Sequence, residues 1–454
     1  MTAPLIISVS GLRGEIGKSL TLDVAIRYAL AYSASVTDPG FFVITRDGRR
    51  SGAMFADAIH AALNAVGRST FDGGVAATPT TGILIREYKA AGGIQISASH
   101  NPRQFNGLKL FSAEGRVIPK KEGEKVLPQY EQLATQSPVW ADVEQLGKRI
   151  LIEDTCTAHK NSVLATVDVD LIRSRQFRVL LDSNHGAGSL LGRQLLESLG
   201  CEVVLCGETP DGDFEHTPEP TAENLVSIQE KVRSVNAVVG FCQDPDADRL
   251  ALIDAAGVYP GEEYTTALCA KNRLQKINQA GPVLVVNCAS SRMTTDIAEE
   301  FGGQCFQSPV GEANVVDLMK AKNAVFGGEG NGGPIDPEVG FVRDSFVGIA
   351  QILEAMARRN MSLSQLVAEL PKYAIVKQKM TFPLDQVPAM LDKLAQKFSD
   401  LKLNRQDGLR IDWPDSWVLI RASNTEPIIR IIAEAPDEVS ANKLCGLIRE
   451  SIGQ

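Results

Sequence analysis

Short apolar segments of strand length alternate with amphipathic helical segments along most of this chain. The predicted strands are 41–45, 93–98, 178–182, 202–205, 237–242, 283–287 and 324–327, and the predicted helices are 21–34, 51–66, 188–199, 224–235, 262–274 and 294–301. Such alternation is typical of parallel or mixed sheets with right-handed crossovers. Beyond about Pro371 the pattern changes to a smaller α+β unit. The sequence therefore predicts an α/β protein with a distinct C-terminal part.

The length of 454 residues is too great for one ordinary hydrophobic core. We place the domain boundaries so that three α/β units of similar size, 1–150, 151–256 and 257–370, precede an α+β unit at 371–454. The similar sizes suggest an internal repeat, although no residue-level repeat is visible.

Composition limits the partners and the compartment. A net charge of −9 disfavours a general binder of nucleic acid or of anionic membranes. We find no signal peptide and no apolar run of membrane-spanning length, and the 8 cysteines are scattered without a CxxC pair. We expect the cysteines to be buried thiols and the protein to lie in the reducing cytoplasm. We also expect the protein to be a monomer or a homodimer.

An acidic loop follows the predicted strand 237–242. It contains Asp244, Asp246 and Asp248 at alternate positions and ends at Arg249. Pro245 keeps the loop from becoming helical. Carboxylates at such positions of an extended loop can converge on one cation, and their oxygens suit Mg²⁺. A solvated acidic turn is the plainer alternative, but three aspartates directly after a buried strand favour a metal site.

A serine loop follows the predicted strand 93–98. It reads Ser97-Ala-Ser-His-Asn-Pro102, so Ser99 presents its hydroxyl where the strand has ended, and Lys109 follows in the next strand-like segment. Taken alone, this is as consistent with a turn rich in serine and asparagine. Beside a metal site, however, a serine can carry a phosphoryl group, because a cation and fixed positive charge activate an otherwise weak nucleophile.

Two further loops contain ligand-binding side chains. The glycine-rich loop 327–333 includes Glu329 and Asn331, a carboxylate and an amide that suit sugar hydroxyls, or it is simply a flexible turn. The turn after Arg421 supplies hydroxyl, amide and backbone N–H groups that can cradle a phosphate, although it also joins two strands of a hairpin. Arg13 ends the first strand-like segment and carries little information by itself.

Together these four loops resemble the α-D-phosphohexomutase family nearly from end to end. The order of the Ser-His-Asn-Pro, Asp-x-Asp-x-Asp-Arg, Gly-Glu-x-Asn-Gly and Arg-x-Ser-Asn-Thr motifs is that of the family, with one motif in each predicted domain. The resemblance implies three related α/β domains and a C-terminal α+β domain similar to the TATA-box-binding protein, arranged around a central cleft.

The resemblance also implies a role for each motif residue. The catalytic residues would be Ser99, Lys109, Arg13, His100 and Arg249; Ser99, Asp244, Asp246 and Asp248 would hold one Mg²⁺ ion; and Glu329, Asn331, Arg421, Ser423, Asn424, Thr425 and Arg430 would bind the substrate.

The implied activity is a phosphosugar mutase that interconverts a hexose 6-phosphate and 1-phosphate through a phosphoserine and a bisphosphorylated sugar. Glucosamine phosphate is the first candidate substrate, mannose or glucose phosphate the second, and a sugar-phosphate phosphatase or a silent sugar-phosphate sensor the remaining alternatives. The chain departs from many members at Gly333 and Glu312, where they have histidine. Lys109, with Glu312, is then the remaining candidate for the general acid or base.

Overall fold

The computed structural model describes residues 4–8, 10–422 and 428–453, which form four β-sheets. The first sheet has seven strands in the order β1-β2-β6-β5-β3-β4-β7. Its strands are β1 (Ile6–Ser8), β2 (Gly11–Glu15), β3 (Phe42–Arg46), β4 (Thr70–Val75), β5 (Gly92–Ile96), β6 (Phe105–Ser112) and β7 (Arg149–Leu151). The helices of this unit are α1 (Leu22–Ser35), α2 (Arg50–Ala65), α3 (Thr78–Glu87) and α4 (Lys120–Gln132), with a 3₁₀ turn at Val143–Gln145.

The second and third sheets have four strands each, in the orders β11-β10-β8-β9 and β13-β12-β14-β15. The second unit comprises α5 (Thr157–Leu164), α6 (Val169–Arg173), β8 (Arg178–Asp182), α7 (Ser189–Ser198), β9 (Glu202–Cys206), α8 (Val226–Ser234), β10 (Val239–Gln243) and β11 (Leu250–Asp254). The third comprises α9 (Glu263–Lys276), β12 (Val283–Asn287), α10 (Met293–Glu300), β13 (Gln304–Ser308), α11 (Glu312–Lys322), β14 (Phe326–Glu329), β15 (Gly333–Ile335), α12 (Ser345–Arg359) and α13 (Leu363–Ala368).

The fourth sheet is antiparallel, in the order β16-β20-β19-β18-β17. Its elements are β16 (Ala374–Thr381), a 3₁₀ turn at Leu384–Gln386, α14 (Val387–Lys397), β17 (Lys402–Asn404), β18 (Leu409–Asp412), β19 (Trp417–Ala422), β20 (Ile428–Ala435) and α15 (Glu438–Ile452). The predicted fold class, three related α/β units followed by an α+β unit, is confirmed.

The first three sheets repeat one arrangement of four strands. In each, the first strand lies between the second and third and runs parallel to both, while the fourth pairs with the third as an antiparallel hairpin. The four strands are β3–β6, β8–β11 and β12–β15. The serine, acidic and glycine-rich loops each connect the third and fourth strands of their own repeat. The repeat thus gives the three loops equivalent positions in their units.

The second and third units share one hydrophobic core. Leu181 and Phe241 of the second sheet belong to the same buried cluster as Phe326 of the third sheet and Phe346 of α12. Burial of α12 extends around almost its whole circumference, from Ser345 to Ala357. Neither unit can therefore move freely against the other without exposing apolar surface to water.

A buried histidine joins the first three units. His159 lies on α5, has no exposed surface, and contacts Thr80 of α3 through Nδ1 at 2.9 Å. Its Nε2 lies 2.7 Å from the carboxylate of Asp344, which caps the N-terminus of α12.

No helix within the described residues is both long and apolar enough to cross a membrane.

We expect His159→Gln to lower the free energy of unfolding by about 1–3 kcal/mol, because the shorter amide leaves buried partners on two helices unpaired. Urea denaturation followed by circular dichroism measures this difference. Thr135→Ala is the control, since the Thr135 hydroxyl contacts only the exposed carbonyl of Gln132. Equal stability of the His159→Gln and wild-type proteins would contradict the joining role.

Candidate active site

Ser99 lies in the hairpin loop between β5 and β6, and its backbone adopts a left-handed conformation with φ of 50°. The Ser99 N–H donates to the hydroxyl of Ser97 at 2.8 Å. The Ser99 hydroxyl donates to Asp244 Oδ2 at 2.8 Å, across 145 residues of sequence. The structure thus brings the predicted nucleophile and the predicted acidic loop into direct contact. A non-glycine residue with positive φ is uncommon and often marks a functional site.

Arg49 holds the serine loop in place. Its guanidinium donates to the carbonyl oxygens of Ser99 and Asn101, each at 2.6 Å, and of Pro102 at 2.9 Å. Asp47 accepts from Arg49 Nε at 3.0 Å and from the Ser97 hydroxyl at 2.7 Å. The ion pair of Arg49 and Asp47 therefore fixes the serine loop.

The three aspartates of the acidic loop between β10 and β11 are buried. Asp244, Asp246 and Asp248 each have 0% exposure, and one oxygen of each lies within 4.8 Å of the others. Burial, together with the charges of Asp248 and Asp246, raises the pKa of Asp244 well above its ordinary value. Three buried carboxylates this close require compensating positive charge.

Two cationic side chains from other units provide part of that charge. Lys109 of β6 donates from Nζ to Asp246 Oδ2 at 2.5 Å and to Asp248 Oδ2 at 2.8 Å. Arg343 donates from Nη2 to Asp248 Oδ2 at 2.7 Å. Burial opposes the charge on Asp248, but Arg343 and Lys109 outweigh it and lower the pKa of that carboxyl.

The remaining oxygens of the acidic loop fit a metal ion. Asp246 Oδ1 and Asp248 Oδ1 are buried and have no hydrogen-bond partner among the described residues. Unpartnered carboxylate oxygens in a dry site are costly unless a cation binds them. Asp244, Asp246 and Asp248, with Ser99 beside Asp244, therefore form a set of hard oxygen ligands of the kind that Mg²⁺ prefers.

The glycine-rich loop contains one carboxylate that is already engaged and one amide oxygen that is not. Glu329 accepts from Asn287 Nδ2 at 2.8 Å and from the Gly311 N–H at 3.2 Å. Asn331 Oδ1 is buried without a hydrogen-bond partner in the described part of the chain. This loop can therefore offer Asn331 to a ligand without first breaking a contact.

Arg343 connects the acidic loop to the glycine-rich loop. Besides Asp248, it contacts Glu329 Oε2 at 2.8 Å through Nη1 and Glu312 Oε2 at 3.1 Å through Nε. Arg343 belongs to none of the four motifs and was not predicted from the sequence. The one available signal was Asp344 before an apolar run, which marks the start of a helix and places Arg343 at that helix end.

Lys109 and Glu312, the candidates for proton transfer, have opposite electrostatic surroundings. Burial favours a neutral lysine, but the charges of Asp246 and Asp248 prevail, so the pKa of Lys109 is raised. Burial also raises the pKa of Glu312, against the opposing charge of Arg343. In this arrangement Lys109 carries a proton and can act only as a donor.

The other predicted catalytic residues surround Ser99. Arg13 Nη1 donates to Asn101 Oδ1 at 2.6 Å, and His100 Nδ1 lies 3.3 Å from the Ser99 hydroxyl. Arg249 Nε lies 4.0 Å from Asp248 Oδ1. Burial, with the nearby charges of Arg249 and Arg13, lowers the pKa of His100 to about 2, so its ring is neutral.

The predicted phosphate-binding residues lie on the fourth sheet. Arg421 of β19 and Arg430 of β20 are direct partners in the antiparallel register, so both side chains project from the same face. Arg421 Nε donates to Asp407 Oδ1 at 3.2 Å, while the Arg430 side chain is exposed. Like charges placed directly opposite each other are destabilising, and an anion bound between them would offset this repulsion. Ser423, Asn424 and Thr425 lie outside the described residues.

Comparison with known proteins agrees with this geometry. The chain matches the phosphoglucomutase/phosphomannomutase family in its α/β/α domain I at residues 5–137, domain II at 157–257, domain III at 261–373 and C-terminal domain at 372–451. A phosphoglucomutase/phosphomannomutase of Thermococcus kodakarensis is 36% identical over 95% of each chain. A "Probable phosphoglucosamine mutase" of Methanopyrus kandleri is 31% identical over 96% of this chain and 95% of its own.

Solved structures have the same fold. A phosphoglucomutase/phosphomannomutase family protein of Burkholderia thailandensis superimposes with a TM-score of 0.85 over 98% of both chains, at 24% identity. The chain belongs to the phosphoglucomutase/phosphomannomutase family, and it is therefore a phosphohexomutase. The family resemblance inferred from the four motifs is confirmed.

We expect Arg343→Lys to reduce kcat by about 100-fold, the order seen when a fixed charged donor is lost from an active site. A lysine cannot contact Asp248, Glu312 and Glu329 in the geometry of a guanidinium fork. Steady-state kinetics of hexose phosphate isomerisation provide the measurement. Arg273→Lys is the matched control, because Arg273 pairs with the half-exposed Glu338 outside the site. Equal losses in the two variants would contradict a specific role for Arg343.

Proposed function

We propose that the chain interconverts the 6-phosphate and 1-phosphate of a hexose through a phosphoserine at Ser99, with glucosamine phosphate as the preferred substrate. The contact of the Ser99 hydroxyl with Asp244 at 2.8 Å carries this proposal. It unites a nucleophile from the first unit with the acidic loop of the second. A phosphoryl group on Ser99 would lie beside those carboxylates and within the positive charge of Lys109, Arg13 and Arg249.

In the reaction, a sugar hydroxyl attacks the phosphorus of phosphoserine while the bond from phosphorus to Ser99 Oγ breaks. The Glu312 carboxylate would accept the proton of the sugar hydroxyl, and protonated Lys109 would donate a proton to the departing Ser99 oxygen. In the return transfer the two residues would exchange these roles, which restores both protonation states. The resulting sugar bisphosphate reorients and returns its other phosphoryl group to Ser99. A cation bound by Asp244, Asp246 and Asp248 would stabilise the negative charge on the transferring oxygens. The ion we propose is a single Mg²⁺.

The far end of the substrate requires a separate grip. Arg421 and Arg430, paired across β19 and β20, supply positive charge for the phosphate that is not being transferred. Ser423, Asn424 and Thr425 complete this grip in our proposal. Asn331 and Glu329 contact the sugar hydroxyls. Because the grip recognises a phosphate rather than a particular carbon, either end of the bisphosphate can occupy it.

The choice of glucosamine rests on charge. Its protonated 2-amino group is attracted to carboxylates, and Glu312 and Glu329 lie together at the base of the glycine-rich loop. The similarity to a "Probable phosphoglucosamine mutase" supports this choice. The similarity to a phosphoglucomutase/phosphomannomutase supports the alternative, in which glucose or mannose phosphate reacts by the same mechanism. A phosphatase that passes the phosphoryl group to water is a weaker alternative.

Two further parts of the proposal concern the setting of the enzyme. We propose domain boundaries at 1–150, 151–256, 257–370 and 371–454, which follow the division into four sheets except that Leu151 still belongs to β7 of the first sheet. We propose a cytoplasmic location with a free phosphosugar as the partner. All 8 cysteines are free of disulfide bonds, which supports this compartment.

A substrate panel primed with glucose 1,6-bisphosphate tests the reaction and the sugar together. We expect the highest kcat/KM with glucosamine phosphate, and Ser99→Ala should lose at least about 1,000-fold in kcat, because no nucleophile replaces the hydroxyl. Ser112→Ala is the control, since the Ser112 hydroxyl has no hydrogen-bond partner in the described residues. Full activity of Ser99→Ala would refute the mechanism, faster turnover of glucose or mannose phosphate would favour the alternative sugars, and release of inorganic phosphate would favour the phosphatase.

Metal removal tests the acidic loop. We expect chelation to abolish isomerisation and Mg²⁺ to restore it, because the buried oxygens of Asp246 and Asp248 lose their cation. Asp246→Asn should weaken Mg²⁺ binding at least about tenfold by isothermal titration calorimetry. Asp254→Asn, at the end of β11 but outside the cluster, should bind Mg²⁺ as the wild type does. Unchanged Mg²⁺ affinity in Asp246→Asn would contradict the assignment.

A further inference from the structure

Residues 207–219 of the second unit form an irregular segment that crosses onto the first unit, and we call it the strap. It follows β9 and contains neither helix nor strand. A Cβ atom on Gly212 would lie 2.7 Å from Arg49 Cα and 2.8 Å from the Gly48 carbonyl oxygen, so the two backbones are in direct contact. The ring of Phe214 lies 5.0 Å from the guanidinium carbon of Arg49. The strap therefore packs against the residue that fixes the serine loop.

Charged contacts extend the strap along the serine loop itself. Asp213 lies 3.5 Å from Arg103, and Glu219 lies 3.8 Å from Arg249. Glu219 also lies 4.0 Å from the ring of His100, which is neutral and forms no ion pair. These contacts are individually weak, but all of them join the strap to residues around Ser99. Displacement of the strap would remove them together with the Phe214 contact.

The strap is anchored to its own unit at His216. His216 Nε2 lies 2.9 Å from Asp182 Oδ2, at the buried end of β8. The neighbouring Asn184 accepts from the Glu215 N–H at 2.9 Å and donates to the His216 carbonyl at 3.0 Å. His185 lies 2.8 Å from the Thr209 carbonyl and 3.4 Å from Glu215.

The surroundings of His216 favour its charged form. Nε2 faces the Asp182 carboxylate, and Nδ1 lies 2.9 Å from the Thr217 carbonyl, so each nitrogen has an acceptor beside it. Both nitrogens can donate a hydrogen bond only when both carry a proton, which is the charged form of the ring. The groups that face His216 or its partner are Asp182 of β8, Asn184 of the following loop, Cys206 of β9 and Glu215 of the strap. His185 contacts Glu215. Burial lowers the pKa of His216, but Asp182 outweighs burial and raises it above its ordinary 6.5.

We propose that His216 is a positioning residue for the phosphoryl transfer, whose ion pair with Asp182 anchors the strap, and that the strap in turn fixes Arg49 and the serine loop. This inference rests on the proposed role of Ser99. The ion pair contributes fully at pH values below the unfolded-state pKa of histidine, and its contribution is lost as the pH rises through the higher folded-state value. The enzyme should therefore lose kcat on the alkaline side as the anchor weakens.

The pH dependence of kcat in wild type, His216→Gln and Asp182→Asn provides the test. We expect His216→Gln to lower kcat roughly 5- to 50-fold near neutral pH, the scale of a small misplacement of reacting groups, with KM changed less than about twofold. Its profile should lack the alkaline limb that the wild type shows as His216 loses its proton at a pKa raised by Asp182. Asp182→Asn should move the alkaline loss of kcat to lower pH, because it removes the carboxylate that raises the pKa of His216. Glu208→Gln, an exposed change on the same strap, should retain the wild-type profile.

Hydrogen–deuterium exchange of peptides covering 207–219 gives a second measurement that needs no catalysis. We expect exchange, corrected for intrinsic pH dependence, to rise in wild type above the His216 pKa and to be high at all pH values in His216→Gln. An unchanged alkaline limb in His216→Gln, or strap exchange equal to that of wild type, would overturn the inference. Absence of isomerisation in wild type, with the expected exchange pattern, would instead refute the proposed function alone. If His216→Gln does not fold, Asp182→Asn carries the same two measurements.

Discussion

Three aspartates with no exposed surface, one oxygen of each within 4.8 Å of the others, impose the constraint on which the rest of the molecule depends. Carboxylates cannot remain charged in a dry interior without nearby cations. The cations come from elsewhere in the fold: Lys109 from the first unit and Arg343 from the third. The acidic loop of the second unit therefore needs the other two units in position. The charge balance of the site therefore requires the first three units to pack together. The hydrophobic core shared by the second and third units also holds those two units together.

The repeated four-strand arrangement explains how distant stretches of sequence meet. In each of the first three units, the functional loop joins the third strand to an antiparallel fourth strand, so the same hairpin carries Ser99, the aspartates or the glycine-rich turn. The paired strands fix the position of each loop, while the loop itself accepts many residue types. The three loops can therefore carry different functional side chains. Arg343 then couples the acidic and glycine-rich loops, since one guanidinium contacts Asp248, Glu312 and Glu329. The site for the transferred group and the site for the sugar cannot be altered independently.

Much of this could be predicted from the sequence, because strands and motif loops have local signatures. The serine, acidic and glycine-rich loops were predicted, as were seven strands within a few residues: β3, β5, β8, β9, β10, β12 and β14. The strands β4, β11, β13 and β15 of the same units were not predicted. Helix α12 was missed because its burial on nearly all sides removes the amphipathic period. The helices α3, α4, α5, α6, α11 and α13 were missed as well. Arg49 and Arg343 carry no motif, and their importance lies in partners 50 and 95 residues away. A single sequence contains no signal for contacts of that kind. The strap and its histidine anchor were likewise invisible before the fold brought Asp182 and His216 together.

The most direct test of the account is the location of the phosphoryl group. Wild-type protein is incubated with glucose 1,6-bisphosphate and Mg²⁺, freed of small molecules, weighed intact, and mapped by peptide mass spectrometry. The account predicts the mass of one added phosphoryl group, carried by the peptide that contains Ser99. Isomerisation by a protein that never acquires this group, or a phosphoryl group on another residue with Ser99 unmodified, would contradict it.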